Sequence, residues 1–489
     1  MATDVTSTSH FCFATATALA RRIRNREISS TEVVDAFLAR ITAHNSQIHA
    51  IVQVFDSAAR TRAKEADEAL ARGEIWGALH GVPVTIKEPF LLANTRSTLN
   101  SRRMKNVIAP EDGVLVKRIK SAGAIILGKT NVPAHLQGYQ VKGDIYPEGK
   151  NPYRVECSPG GSTGGGAAAV AAGMTAIELG QDGGGSLRIP AHFCGVFCLK
   201  PTDKTIPRYG MIPFPKGARG FLVNLVQAGP IGRSIDDLEL VWTIIRGPDS
   251  CDFEIAPIDW RPSSGRSLGQ LRVAWTDGFE EYVAGADTRE QLAALAARLE
   301  RAGARVEKTA PAIHPRAYEV FIHLFGALLG QDAPWLMRKI FPMVVAHGQI
   351  RGQPHLVRLL RRALKMNTQE YAAALGVKRV WVEDLERFFR SYDVLLAPVA
   401  FGPAFKRCNV GAPLDFDGVL RPYHEYCGPY VEPFNASGHP VLVMPLGTSK
   451  DGLPIGVQII GAYWSEPELL YIGRQLAPLT QGFVKPQGY

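Results

Sequence analysis

The spacing of apolar positions changes character several times along the chain. Ser29-x-x-Glu32 has the form of a capping box, in which each side chain satisfies a free backbone amide at a helix start. Val33, Val34, Phe37, Leu38 and Ile41 follow at the spacing of a buried helical stripe. Residues 58–72, rich in alanine and charge, predict a second helix. The period then shifts, because Val82-Pro83-Val84-Thr85-Ile86 is a short β-type run ending at Lys87. Residues 114–122 predict a helix closed by Gly123, followed by a strand over 124–127. A second such pair follows, with a helix over 289–301, Gly303 as its cap and an extended segment from Val306. Runs at 392–399, 441–446 and 457–460 read as buried strands. Helices alternating with strands predict an α/β protein.

Two apolar stretches need separate treatment. Phe11–Ala20 ends in Ala-Leu-Ala and has the outline of an export leader, but Asp4 precedes it and Arg21-Arg22 follow it. A leader carries its basic residues first, so this stretch predicts the start of an amphipathic helix. Residues 157–177 are uncharged but dominated by glycine, alanine and serine, with a proline, and fail as a membrane span. No integral membrane segment is expected, and a cytoplasmic location is. Residues 313–390 are mostly helical, and Phe321, Leu324, Phe325, Leu328, Leu329, Trp335, Ile340 and Phe341 give them more apolar surface than a solvent-facing helix needs. With no repeat and no low-complexity linker, one continuous domain over 1–489 with a helical insertion at 313–390 is expected.

Composition narrows the class. Of 489 residues 46% are hydrophobic and 21% charged, which excludes a disordered chain. The net charge of +9 is spread thinly, and its densest helical pattern, Arg358, Arg361, Arg362 and Lys365, reads as a solvated face, so no nucleic-acid partner is expected. The seven cysteines are odd in number, and Cys194 and Cys198 lack a second pair at zinc spacing. They predict reduced buried thiols and no metal.

Three motifs compete for the chemistry. Gly123-Ala-Ile-Ile-Leu-Gly128-Lys129-Thr130 matches the phosphate-loop pattern in letters, but its middle residues form a β-type run and Pro133 follows. Gly160-Gly-Ser162-Thr-Gly164 matches the nucleophile elbow, yet a loop precedes it instead of a strand; Asp393 and His439 would be its partners. The third pattern joins Gly81-Val-Pro-Val-Thr-Ile-Lys87 with Ser158-Pro-Gly-Gly-Ser162-Thr-Gly-Gly-Gly and Gln181-Asp-Gly-Gly-Gly-Ser186-Leu-Arg-Ile-Pro. It sets two serines in glycine loops, each before a helix. Gly183, Gly184 and Gly185 offer consecutive unobstructed amides, a nest suited to an oxyanion. No histidine lies in these motifs, but a lysine at a strand end serves as base when burial favours its neutral amine.

These residues resemble the amidase signature enzymes. The resemblance extends to Asp112-Gly-Val, Ala122-Gly123 through Asn131, Pro190-Ala-His-Phe-Cys-Gly195, Leu199-Lys-Pro-Thr202, Tyr392 to Pro398 and Asn435-Ala-Ser-Gly-His-Pro440. It implies a central mixed β-sheet flanked by helices on both faces, with 313–390 as a substrate-binding insertion. It further implies Ser186 as nucleophile, Ser162 as bridging serine after a cis peptide bond, and Lys87 as base. The backbone amides of Gly183, Gly184, Gly185 and Ser186 would form the oxyanion hole, and the segment around Leu136 the rim. No cofactor is implied. Thr163, Glu88, Ala134 and His192 depart from the usual pattern, the last two bearing on substrate preference. The implied function is hydrolysis of uncharged apolar amides, with esters and carbamates as further substrates. The alternatives are the glutaminase subunit of a tRNA-dependent amidotransferase and an inactive binding module on the same fold. The oligomeric state stays open.

Overall fold

The segments whose apolar residues run without helical spacing become strands of one sheet. A computed structural model describes residues 11–213, 225–250, 252–312, 317–332, 336, 339–340, 343 and 348–489. The strands, numbered in chain order within this sheet, are β1 Ile51–Val54, β2 Pro83–Lys87, β3 Ile125–Thr130, β4 Ile177–Asp182, β5 Phe197–Lys200 and β6 Gln227–Gly232. After these come β7 Arg272–Trp275, β8 Arg305–Lys308, β9 Val394–Pro398, β10 Val441–Thr448 and β11 Pro454–Ile460. Their order is β1-β3-β2-β4-β6-β5-β10-β11-β9-β7-β8. β2 runs parallel to β3 and β4, whereas β4–β6 and β10–β11 are antiparallel, so the sheet is mixed. Every residue of β2, β4, β6 and β11 is buried, which requires cover on both faces. At the edge, β8 exposes Arg305, Glu307 and Lys308, and such charges oppose pairing with another chain.

The helical expectations are met. Ser29 Oγ accepts from the Glu32 amide at 3.0 Å while the Ser29 amide donates to Glu32 Oε2 at 2.8 Å, and helix Ser30–Ile48 follows. Helices Asp56–Ala71, Val114–Ser121 and Ala286–Arg301 take the other predicted places. Near the start, Thr15 caps helix Ala16–Arg24, which buries Ala16, Leu19, Ala20 and Ile23 in the body. β3 runs further than its apolar stretch, through Lys129 and Thr130. Gly128-Lys129-Thr130 is therefore strand and not a phosphate loop, and Lys129 Nζ donates to Arg96 O and Ser97 Oγ at 2.7 and 2.8 Å.

Residues 317–388 supply helices Ala317–Asp332, Pro354–Ala363 and Thr368–Phe388. They build a second apolar cluster around Phe321, Leu324, Leu356 and Leu360. The last turns of Thr368–Phe388 behave differently: Trp381 and Leu385 join the principal core, and Trp381 Nε1 donates to Pro433 O at 3.1 Å. Arg358, Arg361, Arg362 and Lys365 face solvent, with Arg362 paired to Glu370. Ile340 is 41% exposed. Trp335, Phe341, Cys251 and the side chains of Leu328 and Leu329 lie outside the described residues. Cys12, Cys157, Cys194, Cys198 and Cys427 are free and buried, and Cys408 is free and half-buried. Among the described residues no helix is long and apolar enough to cross a membrane.

The helix Gly164–Ala171 is wholly buried, and at Gly165 backbone meets backbone. A Cβ on Gly165 would lie 2.5 Å from Asn131 N and O and 2.6 Å from Ala50 O, all main-chain atoms with no side chain to swing away. Gly165→Ala is expected to destabilise the fold by about 1–3 kcal/mol, the usual cost of overpacking. Thermal unfolding of the variant checks this, with a lower midpoint as the expected outcome.

Candidate active site

Parallel strands β2, β3 and β4 end at one edge, and open α/β sheets place their sites at such carboxyl ends. β2 ends in Lys87 and β4 in Gln181-Asp182. The Gly183–Leu187 loop leads from β4 into helix Arg188–Phe193. It is held by Asp182, whose carboxylate accepts from the amides of Gly185 (2.8 Å) and Leu187 (3.1 Å). The same carboxylate receives Arg188 Nε at 3.0 Å and Nη2 at 3.1 Å, in a pair with no solvent exposure. Asn435 Nδ2 adds a further donor at 2.9 Å, and Arg188 Nη1 reaches Val431 O at 2.9 Å. Burial alone would raise the Asp182 carboxyl, but the Arg188 guanidinium and the Asn435 amide hold it well below the usual range.

Facing this loop is the second glycine segment, in which the Gly161–Ser162 peptide bond is cis. Lys87 Nζ lies 2.8 Å from Ser162 Oγ and 3.3 Å from Gln181 O. Thr163 keeps a hydroxyl that donates to the same carbonyl at 3.2 Å, and its amide donates to Ser186 O at 3.2 Å, tying the two serine loops together. Lys87 is fully buried, and loss of hydration lowers its amine to about 7 against the opposing pull of Asp182 and Glu178. Glu178 moves the other way, to about 7, because burial outweighs the hydroxyl donors Thr130 and Thr85, each at 2.6 Å.

An open cleft is lined by Ser162, Ser186, Gly183, Gly184 and Leu136. One wall is apolar, with Phe321, Phe325, Ile322, Ile350 and Leu360. The amides of Gly183, Gly184 and Ser186 have no acceptor among the described residues, as an oxyanion nest requires. Gly185 differs from the expectation: its amide is taken by Asp182 and it does not line the cleft. Leu136 and His135 form the rim in left-handed conformations, with φ of 61° and 53°.

The elbow partners do not assemble. Asp393 pairs with Arg266 and Arg272, and His439 Nε2 meets Glu386 at 3.1 Å; neither lines the cleft. His192, expected to bear on substrate preference, stands away from it too. His192 Nδ1 accepts from the Gly456 amide at 2.7 Å, so its Nε2–H donates to Gly402 O at 2.9 Å, a neutral cross-tie whose burial lowers the ring to about 4. Ala134 opens the turn before the rim without lining the cleft. Glu88 accepts from the amides of Thr98 and Leu99, at 2.5 and 3.0 Å, and shapes the adjoining turn.

Sequence reasoning assigned no role to Asp182, Arg188, Asn435, Gln181, His424 or Glu432. A signal for the first two existed: opposite charges bracketing a glycine nest in a buried stretch must pair. Gln181 brings to the cleft a buried side-chain amide with neither polar atom paired among the described residues. His424 and Glu432 line the cleft too.

A family model described as Amidase matches residues 32–470. The chain is 31% identical over 490 residues to a glutamyl-tRNA(Gln) amidotransferase component of Synechococcus sp. strain CC9605, covering 96% of this chain and 97% of the relative. Among solved structures, 6-aminohexanoate cyclic dimer hydrolase is similar at 26% identity and a TM-score of 0.81, covering 97% of this chain and 99% of that one. A protein solved in work on the evolutionary origins of an s-triazine catabolic enzyme is similar at 27% identity and a TM-score of 0.81, covering 97% and 100%.

Asp182→Asn keeps the shape but leaves Arg188 buried without its counter-charge. Breaking such a pair is expected to cost about 3–5 kcal/mol, read as a lower denaturant midpoint. In the wild type the folded carboxyl sits below its ordinary value of 3.8, so the contribution of the pair is complete above that pH. It falls away only as the pH drops further.

Proposed function

The chain belongs to the amidase signature family, and on that premise we propose that it hydrolyses amide C–N bonds through an acyl-enzyme on Ser186. One observation carries this reading: a lysine buried enough to be neutral near pH 7 contacts Ser162 at 2.8 Å in the cleft that Ser186 shares. Lys87 takes a proton from Ser162 Oγ while Ser162 takes one from Ser186 Oγ. The freed Ser186 oxygen attacks the carbonyl carbon. The negative charge passes to the carbonyl oxygen, which the amides of Gly183, Gly184 and Ser186 stabilise. Collapse breaks the C–N bond, and the proton returns through Ser162 to the leaving nitrogen. Water then repeats the attack on the ester, surrenders a proton along the same route and releases the acid. A carbamate would pass through a carbamoyl-Ser186 by the same steps.

The apolar wall of Phe321, Phe325 and Ile350 supports a substrate with an apolar body, since an unpaired charge there would lose its hydration. A second reading is favoured by the amidotransferase relative: the same chemistry on glutamine, with the ammonia passed on in an assembly. Against it, no lysine or arginine stands among the described lining residues to pair with the free carboxylate of an amino acid.

Labelling with an aryl sulfonyl fluoride and peptide mapping should place the adduct on Ser186. An adduct on Ser162 overturns the assignment, and no adduct favours an inactive binding module. In a panel ranked by kcat/KM, aryl amides, esters or carbamates are expected ahead of glutamine, asparagine and malonamide; a clear preference for glutamine moves the protein to the second reading.

The lysine is tested by pH. Below about 7 the amine is protonated, so turnover of a neutral amide should rise about tenfold per pH unit and level off above that value. Lys87→Arg, permanently charged, should lose about 10²–10⁴-fold in kcat, the range of general base catalysis. Wild-type turnover in that variant would exclude the lysine as base.

A further inference from the structure

The cleft has one acidic side chain among its described lining residues, and no step above uses it. Glu432 sits in helix Gly428–Ser437 and is 3% exposed. His424 Nε2 meets its Oε1 at 2.8 Å, while Oε2 has no partner among the described residues. Its position is fixed relative to the reacting atoms. A Cβ on Gly184 would lie 4.0 Å from Glu432 Oε1 and 3.4 Å from Phe321 Cζ, so the carboxyl group borders the oxyanion nest. The helix that carries it is bound to the same loop by Arg188 Nη1 to Val431 O and by Asn435 Nδ2 to Asp182 Oδ1, both at 2.9 Å.

A buried carboxyl oxygen without a donor is unfavourable, and a substrate that supplies a donor removes that cost. We propose that Glu432 is a specificity residue, and that the preferred amides carry a primary ammonium group that docks on its carboxyl group beside an otherwise apolar body. His424 holds Oε1, the oxygen that borders Gly184, and so fixes the carboxyl group at the cleft. Phe321, next to both Gly184 and the carboxyl group, makes the boundary between the apolar wall and this polar point. The inference rests on the hydrolase reading above and narrows its substrate class: one cationic nitrogen, with no second charge.

The test uses two matched series of amides with the full-length protein. In one, 4-nitroanilides carry acyl chains of two to six carbons ending in ammonium or in methyl. In the other, the ammonium or methyl ends the amine half. The expected result is at least a tenfold preference in kcat/KM for the ammonium member at one chain length of one series. Glu432→Gln, nearly isosteric, should bring that ratio to within threefold of unity. Glu432→Asp, which keeps the charge but retracts it, should move the optimum to a chain one carbon longer. Equal rates for both members at every length in the wild type overturn the proposal even if neither variant folds. A preference that survives Glu432→Gln also overturns it and passes the role to another polar group of the cleft, Gln181 or the Tyr139 hydroxyl. A wild type that hydrolyses methyl-ended members and not ammonium-ended ones refutes the proposal alone, whereas hydrolysis of neither, without labelling of Ser186, refutes the hydrolase reading beneath it.

Discussion

A carboxylate and a guanidinium, both sealed from water, hold the loop on which the cleft is built. Asp182 and Arg188 stand at the two ends of the Gly183–Leu187 segment, in which only Leu187 has a large side chain to pack into the core. Glycine permits the loop and the ion pair selects it. The carboxylate receives donors from Gly185, Leu187, Arg188 and Asn435, so its lone pairs are satisfied without solvent. That full set of donors is what makes a buried charge tolerable. The arginine extends the arrangement to helix Gly428–Ser437, so the floor and the far wall of the cleft are referenced to the same two charges.

Burial governs the neighbouring lysine, and Asp182 works against it by favouring the ammonium form. Glu178, the other acid acting on Lys87, is raised by its own burial toward the neutral form and is spanned by the hydroxyls of Thr85 and Thr130. Removal of water from Lys87 is thus allowed to dominate, although two carboxyl groups stand close by.

Much of this was legible beforehand because it is local. The capping box at Ser29, the β-type run into Lys87 and the buried strands over 441–446 and 457–460 all announce themselves within a few residues. The strand that absorbs Lys129 was readable from the apolar run before it, and the run rightly argued against a phosphate loop. Long-range partners left weaker traces. His424 and Glu432 are eight residues apart with no periodicity to link them, and only the fold brings both to the cleft. His192 shows the converse: an unusual side chain inside a catalytic motif whose partners, Gly402 and Gly456, lie more than two hundred residues away. Motif position suggested proximity to substrate, and packing decided otherwise. The close backbone approach at Gly165 leaves a trace of its own, because a missing side chain is itself the signal.

The contacts that close the cleft join residues far apart in the chain: Asp182 with Asn435 across 253 positions, Arg188 with Val431 across 243. No fragment ending before the last hundred residues contains both halves. During synthesis the serines and the lysine emerge from the ribosome long before the helix that positions their loop. The growing chain therefore holds this cleft unassembled until it is nearly finished.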